Sequence, residues 1–395
     1  MSAEASISPR PDLAQPLLAG VLAAVVGSAS TFTLVLAALA AAGASPQQAG
    51  SGLLSVCLAI GLLNMAVAWR VRVPVSFAWT TPGLAFLLTV GEPAGGFAEV
   101  AGAFLVCAAL IVLTGLIAPL GRAIAALPSS IANAMLAGML LTLCLAPITA
   151  VAEMPWHTLP VLVTWALALR FARRYAVPLA VGVTAVILAT ATHLPQGTFD
   201  GASPMLVPVV PAFSLDAIIR IALPLYIVTM ASQNLPGIAV MMSNGFRLRA
   251  SPLFVLTGIA SAITAFFGGP ASNLAAITAA ICAGPEAHPD PARRWPAPIA
   301  AGCTYVLFGL TASLAAAFIA ASPPLLIQAV AGLALFSSLA TSLAAALADE
   351  ESRLPAILTF VATASGVTIV GVGAPFWGLV GGITLLVLLR RGART

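Results

Sequence analysis

Apolar segments separated by short polar connections run along almost the whole chain, and fourteen of them can be delimited. Segments 3 and 10 are too short to cross a bilayer as simple helices. The pattern predicts an all-α polytopic membrane protein with fourteen transmembrane segments. In chain order the segments are 16–42, 49–69, 74–90, 97–120, 127–151, 156–172, 176–192, 217–241, 251–268, 270–284, 295–320, 322–348, 353–372 and 374–390.

Helix-breaking residues stand at the start of both short segments. Segment 3 has a valine-rich approach, which favours an extended strand, and Thr81-Pro82 follows with Thr81 as the predicted N-cap. Segment 10 opens with Gly-Gly-Pro at 268–270, and Ser272 or Asn273 is the predicted cap. Each segment is therefore predicted to be a short strand followed by a half-helix. The alternative is that these residues only kink ordinary membrane helices.

Weak matches between the two halves share one spacing. Val73-Pro74 precedes segment 3 as Gly269-Pro270 precedes segment 10, 196 residues later. Matches near 131–134 and 326–329, and at 177–178 and 374–375, have nearly the same offset. Because each half holds an odd number of segments, seven, the second half must insert upside down. The sequence thus predicts a 7+7 inverted repeat.

The charged residues fix the predicted orientation. The chain is 61% hydrophobic and only 7% charged, which excludes a soluble domain. All basic residues are arginine, and every one except Arg220 falls on the same side of the predicted membrane. Asp216 lies one helical turn before Arg220. By the positive-inside rule both termini are predicted to be cytoplasmic. The net charge of +4 comes from the loops and predicts no nucleic-acid partner.

Two polar clusters interrupt apolar helices. Segment 1 carries Ser28, Ser30 and Thr31, and segment 8 carries Gln233 and Asn234 just before a proline. Such side chains are costly in hydrocarbon without partners, so we expect them to face a cavity or another helix. Hydrogen bonding between helices is the alternative interpretation.

Charged groups are absent from the middle of every predicted segment. Any coupling ion must therefore be handled by neutral groups, by backbone dipoles, or as a proton carried on the substrate. Glu286, His288 and Asp290 form a compact group that we interpret as a solvated cytoplasmic loop rather than a gate. The five cysteines are scattered, so no metal site, disulfide or cofactor is predicted. A membrane-embedded enzyme is disfavoured because no nucleophile–base pair lies at depth.

Residues 231–240, 273–282 and 284–295 resemble the benzoate transporter family (BenE-type benzoate/proton symporters). That family is similar in fold to nucleobase permeases and sulfate-type anion transporters. The resemblance implies a core domain of residues 16–120 (segments 1–4) and 214–320 (segments 8–11). A gate domain would comprise residues 121–200 (segments 5–7) and 321–391 (segments 12–14). It further implies a substrate between segments 3 and 10, an elevator movement of core against gate, and a homodimer.

One departure from the nucleobase permeases narrows the range of expected substrates. Those proteins have glutamates in segments 8 and 10, where this chain offers Gln233, Asn234, Ser272 and Asn273, which fits an anion better. We predict a secondary transporter in a bacterial-type inner membrane that imports benzoate or a similar aromatic carboxylate with protons. A nucleobase or inorganic-anion transporter of this fold and an uncoupled solute channel remain open. Phe77 is predicted to belong to an aromatic wall beside the half-helices, with core packing as the alternative. The predicted substrate-binding residues are Ser28, Ser30, Thr31, Phe77, Thr80, Thr81, Gln233, Asn234, Ser272 and Asn273.

Overall fold

The computed structural model describes residues 13–117, 119, 128–171, 176–191, 203–285, 287–320, 323–367 and 374–392. These residues form helices joined by short loops, with one two-stranded sheet among them. In the first half, α2 begins with a capping box, in which Ser45 accepts from the N–H of Gln48 and the Gln48 side chain accepts from the N–H of Ser45. The elements of this half are α1 (Ala14–Ala41), α2 (Pro46–Val71), β1 (Phe77–Trp79), α3 (Thr81–Val90), α4 (Phe97–Leu116), α5 (Ser129–Glu153), α6 (Pro155–Phe171) and α7 (Ala176–Ala191).

The second half contains one irregular helix, α8, at residues 215–243. Its π-helical turns, Ile218–Ala222 and Met230–Asn234, each lie just before a proline, Pro224 or Pro236. A proline lacks an N–H and its ring crowds the carbonyl four residues earlier, and a wider turn relieves that conflict. The other elements are α9 (Ala250–Ala265), β2 (Ser272–Leu274), α10 (Ile277–Ala283), α11 (Pro296–Gly309), α12 (Ala312–Ala320), α13 (Pro324–Leu347), α14 (Arg353–Ala364) and α15 (Ala374–Gly392).

The described helices have the lengths and composition of a polytopic membrane protein. Four of them are long and apolar enough to cross a bilayer singly: Pro46–Val71, Phe97–Leu116, Ser129–Glu153 and Leu215–Met242. Two bent pairs raise the number to six if each pair is one span. Segment 11 is one of these pairs, because α11 and the following helix meet at 50°. The polytopic helical class is therefore as predicted, and other predicted segments appear as shorter apolar helices.

Helix packing surrounds the sheet with buried apolar side chains. α2 packs along α11, α4 packs along α9, and α1 contacts both α11 and α3. Separately, α5 packs along α13 and α14, and α14 packs along α15. Large aliphatic side chains remain exposed on the outer faces of these helices, as expected where a helix meets lipid rather than water.

Candidate functional site

Segments 3 and 10 meet through their strands. β1 and β2 pair antiparallel, with Phe77 opposite Leu274, Ala78 opposite Asn273 and Trp79 opposite Ser272. The ladder continues at both ends, since the N–H of Thr80 donates to the carbonyl of Ala271 at 3.0 Å and the N–H of Ala275 donates to that of Ser76 at 2.9 Å. The helices α3 and α10 begin within three residues of this ladder. Each predicted short segment is thus a strand followed by a short helix.

A side chain of α2 supports strand β1. The Oδ1 of Asn64 accepts from the N–H of Phe77 at 3.0 Å, and its Nδ2 donates to the carbonyl of Phe77 at 2.9 Å and to that of Ile60 at 2.8 Å. Asn64 is completely buried. Backbone groups removed from water need such partners, so Asn64 replaces a third strand along this edge of the sheet.

Helices α8 and α9 support strand β2 in the same way. The N–H of Ser272 donates to Ser261 Oγ at 2.8 Å, and the N–H of Leu274 donates to Asn234 Oδ1 at 2.9 Å. The predicted site residue Asn234 therefore uses its carbonyl oxygen to hold the strand. Gly237, one turn further along α8, permits this approach, since a Cβ there would lie 2.8 Å from Leu274 Cβ.

The predicted helix caps need correction. Thr80, not Thr81, is the N-cap of α3: its Oγ1 accepts from the N–H of Gly83 at 3.2 Å and from the hydroxyl of Thr229 at 2.8 Å. Thr81 is the first helical residue and is half-buried.

Neither Ser272 nor Asn273 caps the second half-helix. Both belong to β2, and α10 begins at Ile277 after an N-cap, Ala276, that makes no side-chain capping bond. The reason is that the partners of the Ser272 and Leu274 N–H groups, Ser261 and Asn234, hold this stretch extended.

Strand geometry separates residues that the sequence placed together. Side chains alternate along a strand and cross-strand pairs share a face. Ala78 and Asn273 therefore lie on one face of the sheet, whereas Ser272 lies on the other with Trp79 and Phe77. Phe77 is fully buried, as core packing requires, and Ala78 is partly exposed.

The polar cluster of segment 1 contacts the face of the sheet that carries Trp79. Trp79 Nε1 donates to Thr31 Oγ1 at 3.0 Å, and the Thr31 hydroxyl donates to the carbonyl of Gly27 at 2.8 Å. The Trp79 ring lies edge-on to Tyr305 of α11, with centroids 5.6 Å apart. Sequence reasoning missed Tyr305, although a tyrosine within an apolar segment is itself a signal for a buried polar partner.

Three predicted residues carry buried oxygen atoms that have no hydrogen-bond partner within the described part of the chain. These atoms are Ser28 Oγ, Ser272 Oγ and Asn273 Oδ1. Asn273 Nδ2 donates to the carbonyl of Leu274 at 2.8 Å, which fixes the amide with its oxygen unpaired. An unpaired buried polar atom costs about 1–3 kcal/mol, so each of these oxygens would gain from a water or ligand partner.

The remaining predicted residues are placed as follows. Gln233 is half-buried on α8, one residue before Asn234. Ser30 lies on α1, and its side chain lies outside the described structure. Of the acid/histidine group at 286–290, Glu286 lies outside the described residues, while His288 Nδ1 accepts from the N–H of Asp290 at 3.0 Å in a local turn. Among the described residues no group of three or more His, Cys, Asp or Glu side chains is arranged to hold a metal ion.

Solved structures define the class of protein to which this architecture belongs. The chain is similar to the transmembrane domain of the cyanobacterial bicarbonate transporter BicA, with a TM-score of 0.59 and 15% identity over 93% of this chain and 98% of that one. It is also similar to the murine anion transporter Slc26a9 in its inward-facing state, with a TM-score of 0.62 and 13% identity over 96% and 69%. The protein therefore is a polytopic helical membrane protein with the fold of these anion transporters.

Sequence comparison identifies the family within that class. The profile described as benzoate membrane transport protein (BenE) matches residues 13–388, and the chain belongs to this family. It is 40% identical to the inner membrane protein YdcO of Escherichia coli K12 over 94% of this chain and 95% of that protein. It is 30% identical to the benzoate membrane transport protein of Acinetobacter baylyi over the same shares. The family resemblance stated from the sequence is confirmed.

Proposed function

We propose that this protein is an inner-membrane secondary transporter that imports benzoate or a similar aromatic carboxylate together with protons. The observation that carries the proposal is the buried strand crossing, where Asn273, opposite Ala78, which lies three residues before α3 begins, has an Oδ1 without a partner among the described residues. Membership of the benzoate membrane transport family and the names of the relatives support the substrate class and the membrane.

The substrate lies between segments 3 and 10 on the sheet face that carries Asn273. Thr80 and Thr81 at the start of α3 and Gln233 on α8 are its proposed polar contacts. Asn234, Ser272 and Phe77 shape the site by fixing the strands. Ser28, Ser30 and Thr31 belong to α1, which meets the opposite face of the sheet through the bond between Thr31 and Trp79. Their proposed role is therefore to hold strand β1 behind the substrate.

The substrate carboxylate can be bound at this depth without a fixed cation. Removing a carboxylate from water costs several kcal/mol. A helix N-terminus returns about 0.3–2 kcal/mol, and each hydrogen bond to the charged group about 1.5–3 kcal/mol. The start of α3 and two or three neutral donors therefore roughly offset the cost. Without an arginine, the site also releases its substrate readily.

Backbone features near the crossing support the 7+7 inverted repeat. Arg72 and Gly268, which are 196 residues apart, both have left-handed φ values, +54° and +75°, on the approach to their strands. Asn64 and Ser261, 197 apart, each bind the backbone of a strand. The paired residues at the centre of the ladder are 195 apart. These nearly equal offsets, 195 to 197 residues, agree with a two-fold axis through the crossing.

Helix packing supports the repeat and the two proposed domains. Segment 2 packs on segment 11, and segment 9 packs on segment 4. In a 7+7 repeat segment 2 corresponds to segment 9 and segment 11 to segment 4, so the two contacts are equivalent. These contacts lie within the proposed core, residues 16–120 and 214–320. The packing of α5 with α13 and α14 lies within the proposed gate, residues 121–200 and 321–391. We propose fourteen segments, cytoplasmic termini, an elevator movement of core against gate, and a homodimer.

Proton coupling is proposed from the resemblance to the benzoate/proton symporters, although the predicted segments carry no acid at mid-depth that could bind the proton. The proton is carried by neutral groups of the site or by the substrate carboxyl itself. The test is uptake of labelled benzoate into proteoliposomes with an inward proton gradient. We expect saturable uptake that a protonophore abolishes. Uptake equal to that of empty vesicles would refute the assignment of benzoate as a substrate.

The same preparation tests the alternatives. Benzoate flux that does not depend on the proton gradient would identify an uncoupled channel. Displacement of bound benzoate by uracil or sulfate, but not by substituted benzoates, would identify a nucleobase or inorganic-anion transporter instead.

A further inference from the structure

A cavity of about 380 Å³ lies away from the strand crossing, between the C-terminal half of α3 and helices α5, α13, α14 and α15. Apolar side chains form most of its wall, and Arg220 of α8 and Gln328 of α13 provide polar groups at its edge. Its volume is within the range of pockets that bind small organic molecules. Its apolar wall includes Phe86, Val90, Met139 and Pro375.

Arg220 is the feature that gives this cavity a chemical preference. It is the one arginine that the sequence places on the outer side of the membrane. Its Nη1 lies 3.3 Å from Asp216 Oδ2, and the two side chains are 34% and 54% exposed. An exposed pair of this kind contributes little, so Asp216 does not prevent the guanidinium from binding another anion. A guanidinium has five N–H donors and binds a carboxylate in bidentate geometry.

The cavity is separate from the proposed substrate site. Phe86 lies six residues after the N-cap Thr80 on α3, which corresponds to about 9 Å along a helix. Phe86 and Met139 are each only 2% exposed and lie at the buried part of the wall. A molecule in the cavity therefore occupies a position between the outer end of α3 and the crossing.

We propose that this cavity is an outer binding site for aromatic carboxylates, with the carboxylate on Arg220 and Gln328 and the ring against Phe86 and Met139. The proposal rests on the proposed function and its orientation, and it adds a second position for the same substrate class. A charged group beside an apolar wall selects a ligand with both features. Small inorganic anions lack the ring, and neutral aromatic molecules lack the charge.

The experiment is protection of an introduced cysteine. Val90→Cys places a thiol in the cavity wall, and a membrane-impermeant maleimide is added from the outside, with the protein lacking this substitution as the background. We expect labelling that saturating benzoate slows at least about threefold. Acetate and benzyl alcohol at the same concentration should each protect much less.

Second substitutions assign the protection to this cavity. Arg220→Gln should remove it, Arg220→Lys should keep part of it, and Gln328→Leu should weaken it. Arg353→Gln, which removes a cation from an exposed pair with Glu350 outside the cavity wall, should leave it unchanged. Asn273→Ala at the crossing should also leave it unchanged.

Three results would overturn the proposal: no labelling from outside, no protection by benzoate, or protection that Asn273→Ala removes and Arg220→Gln keeps. If Arg220→Gln does not yield folded protein, Arg220→Lys and Gln328→Leu decide by themselves. Transport without protection refutes the outer site alone. Protection without transport refutes the proposed transport function alone.

Discussion

Asn64 satisfies both polar backbone groups of Phe77: its Oδ1 accepts from the N–H at 3.0 Å and its Nδ2 donates to the carbonyl at 2.9 Å. Removing this side chain leaves two buried backbone groups without partners, at about 1–3 kcal/mol each. We therefore expect Asn64→Ala to lower the thermal stability of the purified protein and to abolish benzoate uptake. Asn244→Ala, which removes a similar amide-to-carbonyl bond at the end of α8, is the control. Equal stability of the two variants would contradict the role given to Asn64.

The crossing itself was predictable, but its support was not. Gly-Gly-Pro before segment 10 and Thr-Pro before the body of segment 3 are visible as helix breakers, and their shared offset predicts that they face each other. A single asparagine such as Asn64 or serine such as Ser261 in an apolar helix has no such signal, because either one equally fits bonding between helices. The predicted cap of segment 10 was wrong because its backbone is held by residues far away in the sequence. Ser272 is a good cap by type, but distant side chains hold its backbone extended.

Asn273 and Gln233 are the residues that we expect to matter most for substrate. Asn273→Ala and Gln233→Ala should abolish uptake while leaving expression intact. A hydrogen bond to a charged group contributes about 1.5–3 kcal/mol, so the benzoate Kd should rise about 10-fold to 150-fold for each. Titration calorimetry on purified protein measures this change directly.

Two further variants sharpen the comparison. Asn273→Asp has nearly the same shape but a negative charge, so it should weaken benzoate binding more than Asn273→Ala. Asn133→Ala on α5, whose side chain donates to the carbonyl of Ser129, should bind benzoate normally. Normal binding by both Asn273 variants would move the site elsewhere.

Trp79 and Thr31 should act as a pair. The Trp79 indole donates to the Thr31 hydroxyl at 3.0 Å, which links β1 to α1. Trp79→Phe and Thr31→Val each break that bond, and a neutral hydrogen bond contributes about 0.5–1.5 kcal/mol. The double variant should therefore lose less stability than the sum of the single losses. Strict additivity in thermal unfolding would show that the bond contributes nothing.

The left-handed residues make a prediction about the repeat. Arg72 has φ +54°, and its guanidinium lies 3.9 Å from the Trp295 ring centroid and 4.8 Å from that of Trp69. Arg72→Gly loses the cation–π contacts but relieves the backbone, whereas Arg72→Ala loses the contacts and keeps the strain. In thermal unfolding, Arg72→Ala should therefore be less stable than Arg72→Gly by roughly 1–2 kcal/mol, which is the cost of the left-handed backbone for a residue with a Cβ.

Its counterpart, Gly268, tests the same geometry on the opposite approach. Its φ is +75°, and a Cβ there would lie 2.8 Å from Phe97 Cε1. Gly268→Ala should therefore destabilise the protein more than Ala at the exposed turn residue Gly245, which has φ +88° but open space around it. Equal losses would remove the close approach from the explanation and leave the backbone conformation alone.

Arg294 holds the C-terminal end of the half-helix α10. It is 6% exposed and donates to three backbone carbonyls: from Nη1 to Ala283 at 2.7 Å, from Nε to His288 at 2.6 Å and from Nη2 to Pro289 at 3.1 Å. Ala283 is the last residue of α10, so the cation also meets the negative end of that helix. Arg294→Gln should cost at least about 3 kcal/mol, because several charge-assisted bonds are lost together. Arg294→Lys should recover only part of this, since a lysine cannot reproduce the planar fork.

The neighbouring Arg293 is the matched control for this prediction. It pairs with Asp290 at 3.5 Å, and both side chains are about half exposed, so Arg293→Gln should change stability by at most about 1 kcal/mol. Thermal unfolding and benzoate uptake of the three variants measure both effects. If Arg294→Gln were as mild as Arg293→Gln, the carbonyl contacts would not hold α10. If Arg294→Gln unfolds early but Arg294→Lys transports normally, the positive charge matters and the fork geometry does not.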